Sequence, residues 1–339
     1  MTTRDTIDAA TVTAFRRGDA DAFGRISRRY ARELHVHCYR MVGSFDDAED
    51  LVQESLMRAW DRREQLQGRA GIRAWLYRIA TNACIDAIRA RKARVILDNE
   101  GEMRPQSRFP WMQPYPDALL DAAVSSELSP DARLVSRDTI ELAFLVAIQS
   151  LPPKQRAVLL LRDVMGFSAS ETAEILDDTT PAVNSALQRA RSTLQRRRGV
   201  TDGATDVTAP SFDEAFFLQA FMDAQDRGDV SAMVELLRED VRMTLFPDAV
   251  TWDGREEVAR EIRRRRTDFE GEVRSVPIAA NRQPALAVYL RPASDVAYRA
   301  WAVVVLGVRA GKVREIATFA SPELFARFKL PTVLSADGG

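Results

Sequence analysis

Histidine and cysteine are nearly missing from this sequence. The two histidines, His35 and His37, share one tetrapeptide with Cys38, and Cys84 is the second and last cysteine. Adjacent ligands on one helix cannot all face one ion, and no matching His or Cys group stands elsewhere, so no metal site is expected. Both cysteines lie in apolar helical patterns, which fits reduced, buried thiols rather than a disulfide. Long apolar runs are lacking too. None reaches the 18 residues of a spanning helix, and MTTRDTIDAA has no apolar secretory core. No membrane association is expected, and a cytoplasmic location is.

Net charge is also small, at −1 over 339 residues, a length that predicts two or three domains. The total hides an imbalance between segments. Residues 1–95 carry +5, residues 96–134 carry −4, residues 135–200 carry +2 and residues 201–339 carry −4. A nucleic-acid binder with so little total charge must confine its basic surface to particular faces.

What is present is organised around residues 44–92. In Ser44-Phe-Asp-Asp-Ala-Glu-Asp-Leu-Val-Gln-Glu-Ser-Leu-Met-Arg-Ala-Trp60, Asp46 and Glu49 have capping-box-like spacing, with Asp in place of Ser or Thr. Ala48, Leu51, Val52, Ser55, Leu56 and Ala59 share one face at the helical period. Asp46, Asp47, Asp50, Gln53, Glu54 and Met57 occupy the other, an acidic face suited to a basic helical partner. A second helix follows a polar loop with two glycines, Arg63–Gly71. Its core stripe is Trp75, Leu76, Ile79, Ala80, Ala83 and Ala87, and Arg78, Asn82 and Arg89 form a polar stripe. Two arginines flanking an amide suit phosphates and base edges. A plain bundle with solvated charged faces would carry the same pattern.

The wording is more specific than the pattern. DAEDLVQESLMRAW followed by RAWLYRIATNACID resembles regions 2.2 to 2.4 of bacterial sigma-70 family sigma factors of the extracytoplasmic-function group. The resemblance implies that the first helix docks on the clamp helices of the RNA polymerase β′ subunit, through Asp46, Asp47, Asp50, Gln53, Glu54 and Met57. It implies that the second helix, with Arg78, Asn82 and Arg89, recognises and opens the promoter −10 element. The loop before it would hold a base flipped from the non-template strand, at a stacking cost of a few kcal/mol.

The remaining segments fit around this one. Phe15, Phe23, Ile26, Tyr30, Leu34 and Val42 predict the core of an opening helical pair turning at Gly18-Asp19. Between residues 96 and 134 the helical period fades, and four prolines fall within the twelve residues from Pro105 to Pro116. Trp111 and Tyr115 are candidate anchors there. Related sigma factors thread this segment through the polymerase cleft; packing against a neighbouring domain is the alternative. Residues 135–198 read as a helix-turn-helix, with Ser168 capping one helix and Thr180-Pro181 starting the next. Val183, Leu187, Ala190 and Leu194 should face inward. Ala182, Asn184, Ser185, Gln188, Arg189, Arg191 and Ser192 form the outward DNA-reading set. This unit resembles sigma region 4, which reads the −35 element and binds the β flap, although Asn184 stands where many relatives carry a basic residue.

After a linker at 199–210 the composition changes. Helices are predicted at Phe212–Arg227, Val230–Glu239 and Gly254–Asp268, with strands at Val241–Phe246, Glu272–Ala280, Ala285–Arg291, Ala297–Arg309 and Lys312–Ala320. The order, with Gly228-Asp229 and Trp252-Asp-Gly-Arg255, resembles the SnoaL-like group of the NTF2-like superfamily, whose sheet and helices form a cone around a pocket. The run Arg263–Arg266 reads as a solvated face complementing a helix C-terminus. The expected architecture is thus multidomain: a region 2 bundle (11–95), a Pro-rich linker (96–134), a region 4 helix-turn-helix (135–198), a linker (199–210) and an α+β NTF2-like domain (211–330). The two helical domains are all-α.

The expected function is that of a sigma factor. It would bind core polymerase, direct initiation at −10 and −35 elements, and be regulated in cis by its C-terminal domain. No catalytic residue and no cofactor are expected. A separate anti-sigma protein and a small-molecule ligand of the C-terminal pocket are candidate partners. The alternatives are a helix-turn-helix regulator, which explains residues 135–198 alone, and an enzyme using the C-terminal pocket. The latter would want a general base there, and with no histidine in residues 201–339 the candidates are Asp248 and Asp253.

Overall fold

In the computed structural model, three short polar residues start the first three helices. The Asp8 carboxylate accepts from the Thr11 amide at 2.8 Å and starts α1 (Ala9–Arg16). Asp19 accepts from Ala22 at 2.8 Å and starts α2 (Ala20–Val42). Ser44 Oγ accepts from the Asp47 amide at 3.2 Å and starts α3 (Phe45–Asp61). The cap of α3 is therefore Ser44 and not Asp46. Gly43, at φ +78°, ends α2 in the left-handed region, so the extended Ser44 is already the residue that faces the next helix's free amides. Asp46 and Asp47 lie in the first turn, where negative charge complements the dipole.

The structure describes residues 7–66, 71–98, 109–121, 139–201, 214–248 and 250–335. They divide into two units. One holds Met1–Met103, Leu119–Ile140 and Phe144–Gly203; the other holds Arg104–Ala118, Glu141–Ala143 and Ala204–Gly339. Residues 67–70 of the glycine loop, 99–108 and 122–134 of the linker, 135–138 at the start of the expected region 4 domain, and 202–213 lie outside the described residues.

In the first unit the apolar face of α3 is buried as its period predicts, from Ala48 to Ala59. In α4 (Gly71–Asp98), Leu76, Ile79, Ala80 and Ala83 are buried, while Trp75 and Ala87 are half-buried. Cys38 and Cys84 are free, buried thiols. His37 is buried as well, with Nε2 2.9 Å from Thr81 Oγ1. The second half contains α5 (Asp117–Asp121), α6 (Leu142–Gln149), α7 (Pro153–Leu159), α8 (Ala169–Leu176) and α9 (Thr180–Thr201). Ser168 and Glu171 form a complete capping box on α8, at 3.1 and 2.7 Å. For α9 the side-chain cap is Thr179, whose Oγ1 accepts from the Ala182 amide at 3.3 Å, one residue before the expected Thr180. Val183, Leu187 and Ala190 are buried beneath it and Leu194 is half-buried.

The two helical halves meet where α2 ends. Its last carbonyls have no helical partner, and they are taken by side chains from later in the chain. Gln149 Nε2 donates to the Arg40 carbonyl at 3.2 Å, Arg156 Nη1 to that of Met41, and Arg91 Nη1 to that of Val42 at 3.4 Å. Arg156 is itself buried. It also donates to Gln149 Oε1 at 2.5 Å, the Gln149 carbonyl at 2.6 Å and the Leu151 carbonyl at 3.2 Å. Burial, and then nearby Arg91, pull its pKa down to about 10, so it stays charged at neutral pH. A second contact joins the halves through Arg73 and Tyr77, which Glu33 holds by accepting from Arg73 Nε at 2.7 Å and from the Tyr77 hydroxyl at 3.0 Å. Arg73 also lies 4.7 Å over the Phe167 ring, and Tyr77 Oη is 3.1 Å from Met165 Sδ.

In the second unit α10 (Glu214–Arg227) and α11 (Val230–Glu235) precede a sheet of β1 (Leu237–Phe246), β2 (Val250–Asp253), β3 (Gly271–Ala280), β4 (Gln283–Pro292), β5 (Ala297–Arg309) and β6 (Lys312–Phe319). The order is β2-β1-β6-β5-β4-β3, with β7 (Val333–Ser335) pairing β5; α12 (Arg255–Asp268) and α13 (Leu324–Arg327) complete the unit. The expected helix through Glu239 stops at Glu235, because Leu237 already pairs with Val313 of β6. That β1–β6 pairing is parallel; the other strand pairs are antiparallel. Two-residue turns with positive φ at both positions, Asn281-Arg282 and Ala310-Gly311, join β3 to β4 and β5 to β6.

Part of the Pro-rich segment belongs to this unit. Tyr115 is fully buried, its amide donates to Asn281 Oδ1 at 2.8 Å, and the Asn281 amide donates back to the Tyr115 carbonyl at 2.9 Å. Asp117 accepts from the Arg282 amide at 2.8 Å. On the far side of the linker the Leu142 amide donates to Gln283 Oε1 at 2.9 Å, and Glu141 pairs with Arg309 at 2.8 Å.

Two stability measurements check this packing. Arg156→Met removes donors from buried carbonyls and should cost the helical unit about 1–3 kcal/mol in urea unfolding. His37 is held neutral, since burial, then Arg40 and Arg73, pull its pKa to about 3. Its folded pKa lies below the ordinary 6.5, so its contribution is present above pH 6.5 and is lost as pH falls towards 3. Between pH 7.5 and 5 this loss is about 2 kcal/mol, and His37→Phe should lack it. Equal pH dependence in the two proteins would contradict the assignment.

Candidate functional site

The three residue sets singled out in the sequence lie on three exposed strips of the helical unit. On α3, Asp46, Asp50, Gln53 and Met57 are exposed, and Met57 stands 62% open to solvent in an otherwise polar row. Asp47 and Glu54 are half-buried. Glu54 pairs with Arg58 at 2.6 Å one turn on, and Asp47 pairs with Arg91 of α4. Asp47 thus joins two helices as well as contributing acidity, which its helical position alone did not reveal.

On α4, Arg78 and Arg89 are exposed and Asn82 is half-buried. Arg89 lies 3.7 Å from Asp86 one turn back, a solvated pair worth little. Arg78 Nη2 lies 4.0 Å from Asp177 Oδ1, in the turn that leads into α9. On α9, Asn184, Ser185, Gln188, Arg189 and Ser192 are exposed and Ala182 is half-buried. Arg191 is already bound. Its Nε and Nη2 donate to Asp163 at 2.9 and 2.6 Å, which raises its pKa further. The α9 strip therefore offers one guanidinium, Arg189, to a ligand, with amides and hydroxyls around it.

The sequence led to the expectation of a pocket in the second unit but did not reveal what lines it. A cavity of about 380 Å³ lies between its helices and sheet, lined by apolar side chains and by Arg264, Arg265, Arg266, Asp268 and Gln225. Asp248 and Asp253 are exposed, neither lines it, and Asp253 is paired with Arg242 at 2.5 Å. The carboxylate that does line it, Asp268, is paired with Arg264 at 2.8 Å. Three of the four arginines read as a solvated face are therefore cavity walls. Among the described residues no group of three or more His, Cys, Asp or Glu could hold a metal ion, and no helix is long and apolar enough to cross a membrane.

Comparison with known proteins matches each part of the chain. The Sigma-70 region 2 family matches residues 26–94, the Sigma-70 region 4 family residues 141–194, and the SnoaL-like domain family residues 218–316. The ECF RNA polymerase sigma factor SigG of Mycobacterium tuberculosis is 38% identical over 94% of this chain and 86% of its own length. SigW of Bacillus subtilis, another ECF sigma factor, is 34% identical over 54% of this chain and 91% of its own. In fold, the crystal structure of the M. tuberculosis extracytoplasmic function sigma factor SigJ superposes with a TM-score of 0.58 at 23% identity, covering 89% of this chain and 96% of that one. With matched family models on both helical halves and a relative aligned across nearly its whole length, this chain belongs to the extracytoplasmic-function sigma factors of RNA polymerase, which direct promoter-specific transcription initiation, and it carries a SnoaL-like domain after region 4.

Proposed function

We propose that the chain acts in the cytoplasm, binding core polymerase through α3 and promoter DNA through α4 and α9. The acidic strip with Met57 suits the basic clamp helices of β′. Arg78, Asn82 and Arg89 suit the −10 element, and Ala182, Asn184, Ser185, Gln188, Arg189, Arg191 and Ser192 suit the −35 element beside the β flap. The observation that carries this reading is that all three strips lie on faces opposite buried stripes, where a partner can engage them without unpacking the core. An enzyme reading lacks support, because neither Asp248 nor Asp253 lines the cavity and residues 201–339 contain no histidine. A lone helix-turn-helix regulator leaves α3 and α4 unexplained.

On this reading the helical unit is closed and must open. Positions −10 and −35 are separated by roughly 85 Å of B-DNA at 3.4 Å per base pair. Arg78 of the −10 strip touches Asp177, where α9 begins, and α9 is only about 33 Å long at 1.5 Å per residue. The C-terminal domain regulates this in cis. Its β3–β4 turn, β4 and β5 hold the chain within the linker, at Tyr115-Asp117, and just after it, at Glu141-Leu142. A linker so held is kept from threading the polymerase cleft.

One reconstituted transcription assay tests these roles together. Asp50→Arg should weaken capture of core enzyme, whereas Asp47→Arg should also lower thermal stability by breaking its pair with Arg91. Asn82→Ala or Arg89→Ala should impair opening near −10, read by permanganate reactivity, and Gln188→Ala or Arg189→Ala upstream affinity, at roughly 1–3 kcal/mol per lost base contact. Asn281→Ala should raise initiation by loosening the linker. Core affinity indifferent to Asp50→Arg, or promoter affinity indifferent to all four DNA-strip variants, would refute the assignments. Unchanged initiation with Asn281→Ala would refute linker restraint.

A further inference from the structure

The cavity of the C-terminal unit has an apolar body and a cationic wall. Phe221, Trp252, Val273, Val288, Leu290 and Trp301 form the body. A volume of about 380 Å³ falls within the range of small-ligand sites, and an apolar cavity is suited to apolar guests rather than water. The wall is the last part of α12, where three consecutive arginines line the space.

Their charges do not cancel. Arg264 pairs with Asp268 at 2.8 Å and shares Glu261, which is buried and also accepts from Arg265 Nε at 2.7 Å. The Arg265 guanidinium lies 5.3 Å over the Trp252 ring, fixing it at the cavity edge. Two carboxylates thus answer two arginines. Arg266 is the third. Its guanidinium packs over the Cα of Gly228, where a Cβ would come within 2.4 Å of Nε, and its Nη1 is buried without a hydrogen-bond partner among the described residues. A buried guanidinium nitrogen left unpaired is costly, and turning the Arg266 side chain towards an acceptor in the cavity it lines removes that cost. Gly228, at φ +66°, provides the space that lets Arg266 sit there.

We propose that this cavity binds a small, largely apolar monocarboxylate, with its chain or ring among Trp252, Trp301 and Phe221 and its carboxylate paired with Arg266. One uncompensated guanidinium matches one negative charge. A dianionic phosphate would bring a second charge with no partner into an apolar space. A neutral apolar guest would leave Arg266 as it is.

The test is isothermal titration calorimetry on the full chain, with octanoate, 4-phenylbutyrate and the neutral octan-1-ol as probes. At least one acid should bind saturably at one site, and octan-1-ol about tenfold more weakly or worse, the scale of a charge-assisted hydrogen bond. Arg266→Met should weaken the acid about tenfold and leave octan-1-ol within twofold; Arg266→Lys, which keeps the charge, should fall between. The acid–alcohol comparison needs no variant, so it decides the matter even if Arg266→Met fails to fold. Equal affinity for acid and alcohol, an acid affinity unchanged in Arg266→Met, or no saturable binding of either acid would each overturn the proposal.

Discussion

The carbonyl end of α2 is buried, and much of the helical unit follows from how its free acceptors are met. A helix that ends inside a protein leaves carbonyls that water cannot reach, and each must find a donor or cost free energy. Here the donors are Gln149, Arg156 and Arg91. Two of the three come from the region 4 half, more than a hundred residues later in the chain. A positive charge at a helix C-terminus also suits the dipole, which helps Arg156 remain charged though buried. Region 2 and region 4 therefore pack as one body, through backbone acceptors that any sequence of α2 would present.

On the proposed reading, that arrangement holds the α4 and α9 strips in a form that cannot meet both promoter elements at once. A guanidinium bonded to several carbonyls is a strong contact when closed and readily hydrated when open, since each of its donors can turn to water. Arg73 and Tyr77, both bonded to Glu33, extend this joint through their contacts with Phe167 and Met165. In the C-terminal unit the pairing of Tyr115 with Asn281 acts likewise on the linker, because a buried tyrosine, its amide bonded to the Asn281 side chain and its carbonyl to the Asn281 amide, holds one short stretch in register.

The faces of α3, α4 and α9 were legible in the sequence because helical period alone assigns them. Ala48 through Ala59, and Val183 through Ala190, are buried where the 3.6-residue repeat places them. What the period could not give was where elements end and what distant residues do to them. Ser44 caps α3 because Gly43 ends α2 just before it. Leu237 is a strand residue because β6, seventy-odd residues later, offers it a partner. β2 at Val250–Asp253 is too short to show alternation. The arginines 263–266 fit a solvated helix end by composition, and only the fold shows that three of them border a cavity. Asp47 looked like its exposed neighbours until Arg91 was placed beside it. Most misses concern a contact between elements or an element's end; the elements themselves were largely visible.

The central claim is that the closed helical unit opens when the protein takes up its role on a promoter. Single-molecule energy transfer measures this directly, with dyes at the exposed positions Asp86 on α4 and Gln195 on α9, attached through introduced cysteines while Cys38 and Cys84 stay buried. The account predicts one high-transfer population in the free protein and a low-transfer population on polymerase and promoter DNA. High transfer in both states would contradict it.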